Sequence, residues 1–462
     1  MKKLLKIMSL FLVIVFVLGA CQSSAPEIVP EYNTNVESAD LGGVSFVWGW
    51  QTSEDVNLGF VNGTAHSDMA LERKKTIEES MNCTVNMEYS SDVYTTLRSS
   101  VMSGSPYFDI LTAESFSLAN DIRSGYMTGL STYLDVTNTD KWGTPNILQH
   151  VIWKDDVFAV VPYAWPELMY GTIMDLIAVN EDIVARLGLT DPREYVENKT
   201  WVWEQFEECL TQYTHEYNGR KVYGMAVHDA DIAMMMFLSN GNKLSTFVDG
   251  EVVCGAYTNS GYVALERARM IYNETYKDCI HPDDPLNYVG VEHFVNGDIV
   301  MLTITGKELF ATSRSLLYVA GNVGILPYPQ GPNAVLGEYP SYHSNLLYIT
   351  GIPVNAKEVE GSAAVLDAMF EPFDEYKTKE DIISYMAEQI FFDERDAKVV
   401  ANMLEHTEYN FFLEGARAVI QSVVEQDKSI TSLLDSYEDQ YEKIVADYMV
   451  HHYEGIVSVY GE

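Results

Sequence analysis

Between Val44 and Thr112 the chain alternates short apolar runs with helical periodicity, and that alternation restricts the fold more than any other feature. Val44–Trp50 (VSFVWGW) is β-rich and follows Gly42-Gly43, so it reads as a strand. Met69, Leu71, Ile77 and Met81 recur at helical spacing behind Ser67 and Asp68, either of which suits an N-cap. Cys83–Tyr89 alternates as a second strand. Val93–Met102 reads as a second helix, closed by Ser103-Gly104-Ser105-Pro106, and Phe108–Thr112 as a short buried strand. Strand–helix–strand–helix–strand is the pattern of an α/β unit with a parallel sheet.

The N-terminus sets the compartment. Lys2, Lys3 and Lys6 precede an apolar run from Ile7 to Ala20, too short to span a bilayer and followed by small residues. Residues 1–20 therefore read as a signal peptide. Leu18-Gly19-Ala20-Cys21 resembles the lipobox of bacterial lipoproteins, which implies a diacylated Cys21 and stable anchoring on the outer face of the cytoplasmic membrane, in a Gram-positive bacterium. Residues 21–40, polar with two prolines and no periodicity, read as a flexible tether after that cysteine.

Residues 41–462 exceed what one core ordinarily organises, so two lobes are expected. The expected division is 41–165 plus 304–345 for the first lobe, and 166–303 plus 346–462 for the second. Lys+Arg number 29 against 67 Asp+Glu, a net charge of −38. Such a chain offers no basic surface to displace counterions, which argues against nucleic acid, and its field disfavours polyanions while tolerating neutral guests. Cys83, Cys209, Cys254 and Cys279 are widely spaced, with no Cys/His pattern of metal spacing. Two disulfides or buried free thiols are both compatible with that spacing.

Further along, Val157–Val161 and Gly171–Val179 bracket Pro162-Tyr163-Ala164-Trp165-Pro166. Asn180 opens a helix ending before Gly188, and Thr200 suits the cap of another. Val222–Val227, Ile299–Ile304 and Leu346–Ile349 read as strands, and 361–460 as helical nearly throughout. In this order FAVVPYAW with LIAVNEDIVARLGL, TWVWEQFEECLTQYT, GRKVYGMAV, FVNGDIVMLTITG, VGILPYPQGP and IPVNAKEVEGSAAVLDAMF resemble passages of the carbohydrate-type extracellular solute-binding proteins of ABC importers, the maltose-binding-like receptors. The likeness extends from Val44 to about Phe370; Val179 stands where the family has Tyr. It implies an α/β two-lobe periplasmic-binding-protein-like fold of type II with the ligand between the lobes. It also implies a monomer, no cofactor, no catalysis, and delivery of a sugar or oligosaccharide to ABC permease subunits.

In open α/β sheets ligands sit beyond the carboxyl ends of strands. The residues there are Trp50, Glu114, Trp165, Asp229, Thr305, Tyr342 and His343. Indoles supply flat apolar area for sugar faces and carboxylates accept hydrogen bonds from hydroxyls. Each has a plainer reading: Trp50 and Trp165 as core, Glu114 and Asp229 as helix caps, His343 as an exposed loop residue. No GxSxG, HExxH or P-loop motif occurs, and no EF-hand follows Asp229. The alternatives are a cell-surface glycan-processing enzyme, or a sensor or adhesion lipoprotein on the same fold.

Overall fold

The computed structural model describes residues 40–51, 65–143, 145–148, 151–161, 163, 165, 173–286, 288–310, 316–342, 347–373, 377–391, 393–407, 414–424 and 428–461. The strands among them are, in chain order, β1 (Val44–Trp50), β2 (Cys83–Tyr89), β3 (Ile110–Glu114), β4 (Ile152–Trp153), β5 (Asp156–Val157), β6 (Leu176–Asn180), β7 (His215–Tyr217), β8 (Arg220–Ala226), β9 (Thr246–Val248), β10 (Glu251–Val253), β11 (Ile299–Ile304), β12 (Val323–Leu326) and β13 (Tyr348–Gly351). They form two main sheets and two small hairpins, β4–β5 and β9–β10.

The first sheet runs β13-β3-β1-β2. β1 is parallel to β2 and β3, with Val44 beside Cys83 and Trp48 beside Ile110, while β13 closes the edge antiparallel to β3. Period two sends Phe46, Trp48 and Trp50 to one face, all 0–1% exposed. The helices Ala65–Ser80 and Val359–Met369 pack together, and Phe46 lies against the second of them at Gly361. On the opposite face Gly49 admits Phe108, whose ring lies 2.6 Å from where a Cβ would stand, so no larger residue fits there without moving that ring.

The second sheet runs β12-β6-β11-β8-β7. β11 (IVMLTI) is buried at every residue, as a central strand covered on both faces should be. It is parallel to β8 and antiparallel to β6. Asn180 accepts a hydrogen bond from the Ile183 N–H at 3.1 Å and caps the helix Glu181–Leu187, which ends on left-handed Gly188 as its sequence predicts. The expected Thr200 cap is displaced: the helix Trp203–Tyr213 starts after Val202, which makes no side-chain cap.

Two segments sit on the opposite sheet from the one expected. β12, inside 304–345, pairs with β6 of the second sheet. β13, inside 346–462, pairs with β3 of the first, and Val160 pairs with Thr350 on its other side. A run of four apolar residues specifies a strand, but not the sheet edge it joins; that choice belongs to long-range pairing. Beyond Phe373 the chain returns to the second unit, where the helix Glu394–Glu405 packs on β12.

The last helix, Val450–Tyr460, touches both units. His452 Nδ1 lies 3.2 Å from the Ile152 carbonyl, and Gly455 approaches the β4–β5 hairpin so closely that a Cβ would stand 2.5 Å from the Lys154 oxygen. Its Tyr453 stacks on Phe247 of β9 with ring centres 5.2 Å apart. Cys83, Cys209, Cys254 and Cys279 are all free thiols, and burial pushes the first three up to about 11.

Candidate functional site

At the carboxyl edge of the first sheet, Gln51 continues β1 by donating its N–H to the Thr112 carbonyl at 3.0 Å. Its side chain then spans to β3. Gln51 Oε1 accepts from the Glu114 N–H at 2.8 Å and from the Tyr94 hydroxyl, and Gln51 Nε2 donates to Glu114 Oε2 at 3.1 Å. Glu114 occupies the N-cap position of the helix Ser115–Arg123 but makes no side-chain cap, so its carboxylate is held by Gln51 instead. Burial, with the Glu114 and Asp121 carboxylates adding to it, holds the Tyr94 phenol well above its ordinary pKa, so it remains a proton donor. The strand-end rule finds Glu114 but passes over Gln51, one residue beyond the run that signals β1.

The carboxyl edge of the second sheet is acidic. β8 leads into His228, which caps the helix Asp229–Ser239 by accepting the Ala230 N–H on Nδ1 at 3.2 Å. Asp229 Oδ1 accepts the same N–H at 2.6 Å. Asp231, in the same first turn, is held up to about 7 by burial, with Glu308, Asp229 and Asp284 adding to the effect and His228 opposing it. Near neutral pH such a carboxyl both donates and accepts hydrogen bonds. Thr305 directly follows β11, and its hydroxyl accepts from the Glu308 N–H at 3.2 Å while Glu308 Oε2 accepts from the Thr305 N–H at 3.0 Å. This is a capping box, legible in Thr305-Gly306-Lys307-Glu308 as Thr-x-x-Glu. Thr305 is thus tied to Glu308, which the strand-end rule also missed.

The two edges are close along the chain. The Tyr342 carbonyl accepts from the Met174 N–H at 3.1 Å, and Gly306 N–H donates to Ile173 at 2.7 Å, which fixes that segment to the second sheet. The Leu347 carbonyl accepts from Ser115 N–H at 2.8 Å at the first sheet's edge. Five residues reach about 17 Å at full extension, so the anchor points at Tyr342 and Leu347 lie within that distance of each other.

Trp50 and Trp165 come together as core. They are 1% and 0% exposed, and neither offers a face to a guest. Trp50 stacks on Trp48 at 5.6 Å, Trp48 meets Phe370 edge-on at 5.6 Å, and Trp165 meets Phe370 at 5.0 Å and stacks on Phe373 at 5.6 Å. The helix Val359–Met369 brings Phe370 and Phe373 over these rings, and nothing local to either tryptophan announces that cover. Tyr342 is 4% exposed, its hydroxyl accepting from Gln421 Nε2 at 3.4 Å, which is a packing position. His343 and Cys21 lie outside the described residues.

No protein-family model matches the sequence, and neither does any curated protein. Solved structures share its architecture. The GacH receptor of Streptomyces glaucescens, determined unliganded and with acarbose, aligns over 88% of this chain and 99% of its own, at 14% identity and a TM-score of 0.59. The sugar-binding protein MalE of Xanthomonas citri aligns over 87% and 97%, at 11% identity and a TM-score of 0.61. An ABC substrate-binding protein of Listeria monocytogenes, in complex with cycloalternan, aligns over 87% and 99%, at 14% and 0.57.

The chain has the periplasmic-binding-protein-like fold.

In a binding-protein fold of this kind the polar groups at the two carboxyl edges stand where the general rule for open α/β sheets puts a ligand. Fold alone does not assign an activity, so the chemistry of those edges carries the rest.

Proposed function

We propose that this protein is a solute-binding receptor that holds a neutral, hydroxyl-rich guest, a sugar or oligosaccharide, between the carboxyl edges of its two sheets and presents it to an ABC permease. The observation that carries this reading is the pair of hydrogen-bonding clusters, Gln51–Tyr94–Glu114 on one edge and Asp229–Asp231–Thr305–Glu308 on the other, joined by so short a connection. Carboxylates and amides that already accept or donate bonds suit a rim of hydroxyls. Among the described residues neither cluster contains a lysine or arginine for an anionic guest. Proteins of the same fold bound to acarbose, cycloalternan and ribitol support the guest class. Under this reading Glu114, Asp229 and Thr305 touch or orient the guest, and the protein works as a monomer tethered through Cys21 to the outer face of the cytoplasmic membrane.

Closure about a guest explains transport without chemistry, because a ligand shifts the open–closed equilibrium only by its differential affinity. Thermal unfolding against sugars, polyols, peptides and polyamines tests the guest class. One carbohydrate should raise the melting temperature saturably, corresponding to about 2.7 kcal/mol at a hundredfold excess over Kd. Response to a peptide or polyamine alone would overturn the guest class, and release of a product from the sugar would replace the receptor with the glycan-processing enzyme.

A further inference from the structure

Two histidines and an aspartate converge beside β8, remote in sequence from any metal-binding spacing. His281 follows Ile280, which pairs in parallel with Met225, and the His281 N–H donates to the Met225 carbonyl at 2.8 Å. His293 lies on the helix Val289–Asn296 that leads into β11. The two imidazoles face each other with centres 4.1 Å apart. Asp283 Oδ2 lies 3.2 Å from His293 Nε2, and one donor atom from each of the three residues falls within 4.8 Å of the others. On a tetrahedral zinc ion, bonds of about 2.0–2.1 Å put neighbouring donors about 3.3 Å apart. Asp283 Oδ2 already stands at about that spacing from His293 Nε2, and its side chain is 61% exposed.

The second shell is already built. Asp298 Oδ2 stands 3.4 Å from His293 Nδ1, behind the ring, leaving Nε2 toward Asp283. Asp298 is itself fixed: its N–H donates to the His293 carbonyl at 2.9 Å and its carbonyl accepts from Tyr223 N–H at 2.9 Å. A carboxylate behind an imidazole orients the ring and raises its basicity toward a metal. The chain's net charge of −38 raises the local concentration of cations.

We propose that His281, Asp283 and His293 bind one divalent transition-metal ion of the zinc class, with Asp298 orienting His293 and water filling the open coordination. Two imidazoles with one carboxylate favour zinc, cobalt, nickel or copper over magnesium or calcium, which prefer oxygen alone. The exposed Asp283 keeps the site open to solvent, so the ion exchanges with the surroundings. Bound, it pins the segment after Ile280 to the helix that feeds the central strand. The site stands independently of the guest proposed above.

The test uses the untagged full chain, stripped with chelator and titrated with Co(II) and then Zn(II). One equivalent of Co(II) should develop visible absorption, and Zn(II) should displace it and raise the melting temperature where Mg(II) does not. His281→Ala and His293→Ala should each abolish the spectrum, Asp298→Asn should weaken affinity about 10–100-fold, and His451→Ala should leave binding unchanged. Should a variant fail to fold, histidine ring proton resonances of the wild type serve: paramagnetic Co(II) should perturb His281 and His293 before any other histidine. An unchanged Co(II) spectrum in the His281→Ala/His293→Ala double variant, or Zn(II) binding no tighter than Mg(II), overturns the proposal.

Discussion

The hydroxyls of Thr112 and Thr350 meet at 2.8 Å between β3 and β13, and the Trp48 indole N–H donates to that same Thr112 oxygen at 2.8 Å. Three strands of the first sheet are thereby joined by one buried polar chain. Thr112→Val keeps the shape and removes the acceptor. A buried indole N–H left without a partner costs about 1–3 kcal/mol, so urea denaturation should show a loss of that size, largely restored in Thr112→Ser.

Arg193 should be the most costly single residue in the second unit. It is 2% exposed and reaches Glu181 and Asp191 at 2.8 Å, Asp393 at 3.2 Å and Asp396 at 3.3 Å. Asp396 also accepts the Ile325 N–H at 2.9 Å, which ties the helix Glu394–Glu405 to β12. Arg193→Met removes the cation that joins Glu181 and Asp396 to Asp191 and Asp393, the last two keeping Arg395, at a cost of about 3–5 kcal/mol. Limited proteolysis should then cut near residue 393 before the first unit is cleaved.

Asp231 should make stability depend on acidity. Its carboxyl releases its proton at about 7 when folded, against an ordinary value of 3.8. The folded state therefore binds the proton more tightly, and stability falls as pH rises through that window. Compared with Asp231→Asn, the wild type should lose relative stability between about pH 4 and 7 and stay level above that, in denaturant titrations at fixed ionic strength. A difference that grows in the wild type's favour with rising pH would contradict this placement of Asp231.

Glu114→Gln and Gln51→Ala should weaken guest binding. Hydrogen bonds to a charged group are worth about 1.5–3 kcal/mol, so a loss of about tenfold or more is expected from Glu114→Gln in calorimetry with the responding sugar. Trp50→Ala and Trp165→Ala should instead lower stability by about 3–5 kcal/mol, since each empties part of the buried cluster around Phe370. Full stability with lost binding in either tryptophan variant would return that residue to the site.

Local pattern carried much of the architecture. The alternation from Val44 to Thr112 announced a parallel α/β unit, Asn180 and Gly188 marked both ends of their helix, and the run Ile299–Ile304 marked the strand β11. Strand-end position singled out Glu114 and Asp229, and the structure sets both at the carboxyl edges of their sheets. Thr305 was singled out the same way, and its tie to Glu308 is legible as a capping pattern.

What local pattern could not supply was partnership across long separations. Whether Trp165 faces a guest or the interior depended on Phe370 and Phe373, more than two hundred residues away, and Trp50 lies against Trp48, which itself meets Phe370. The exchange of β12 and β13 between sheets, and the meeting of His281 with His293 beside Asp283, were decided in the same way. Period and capping record a residue's immediate neighbours along the chain. Burial and ligand geometry arise from contacts that form only when distant segments pack, and no short stretch of sequence contains them.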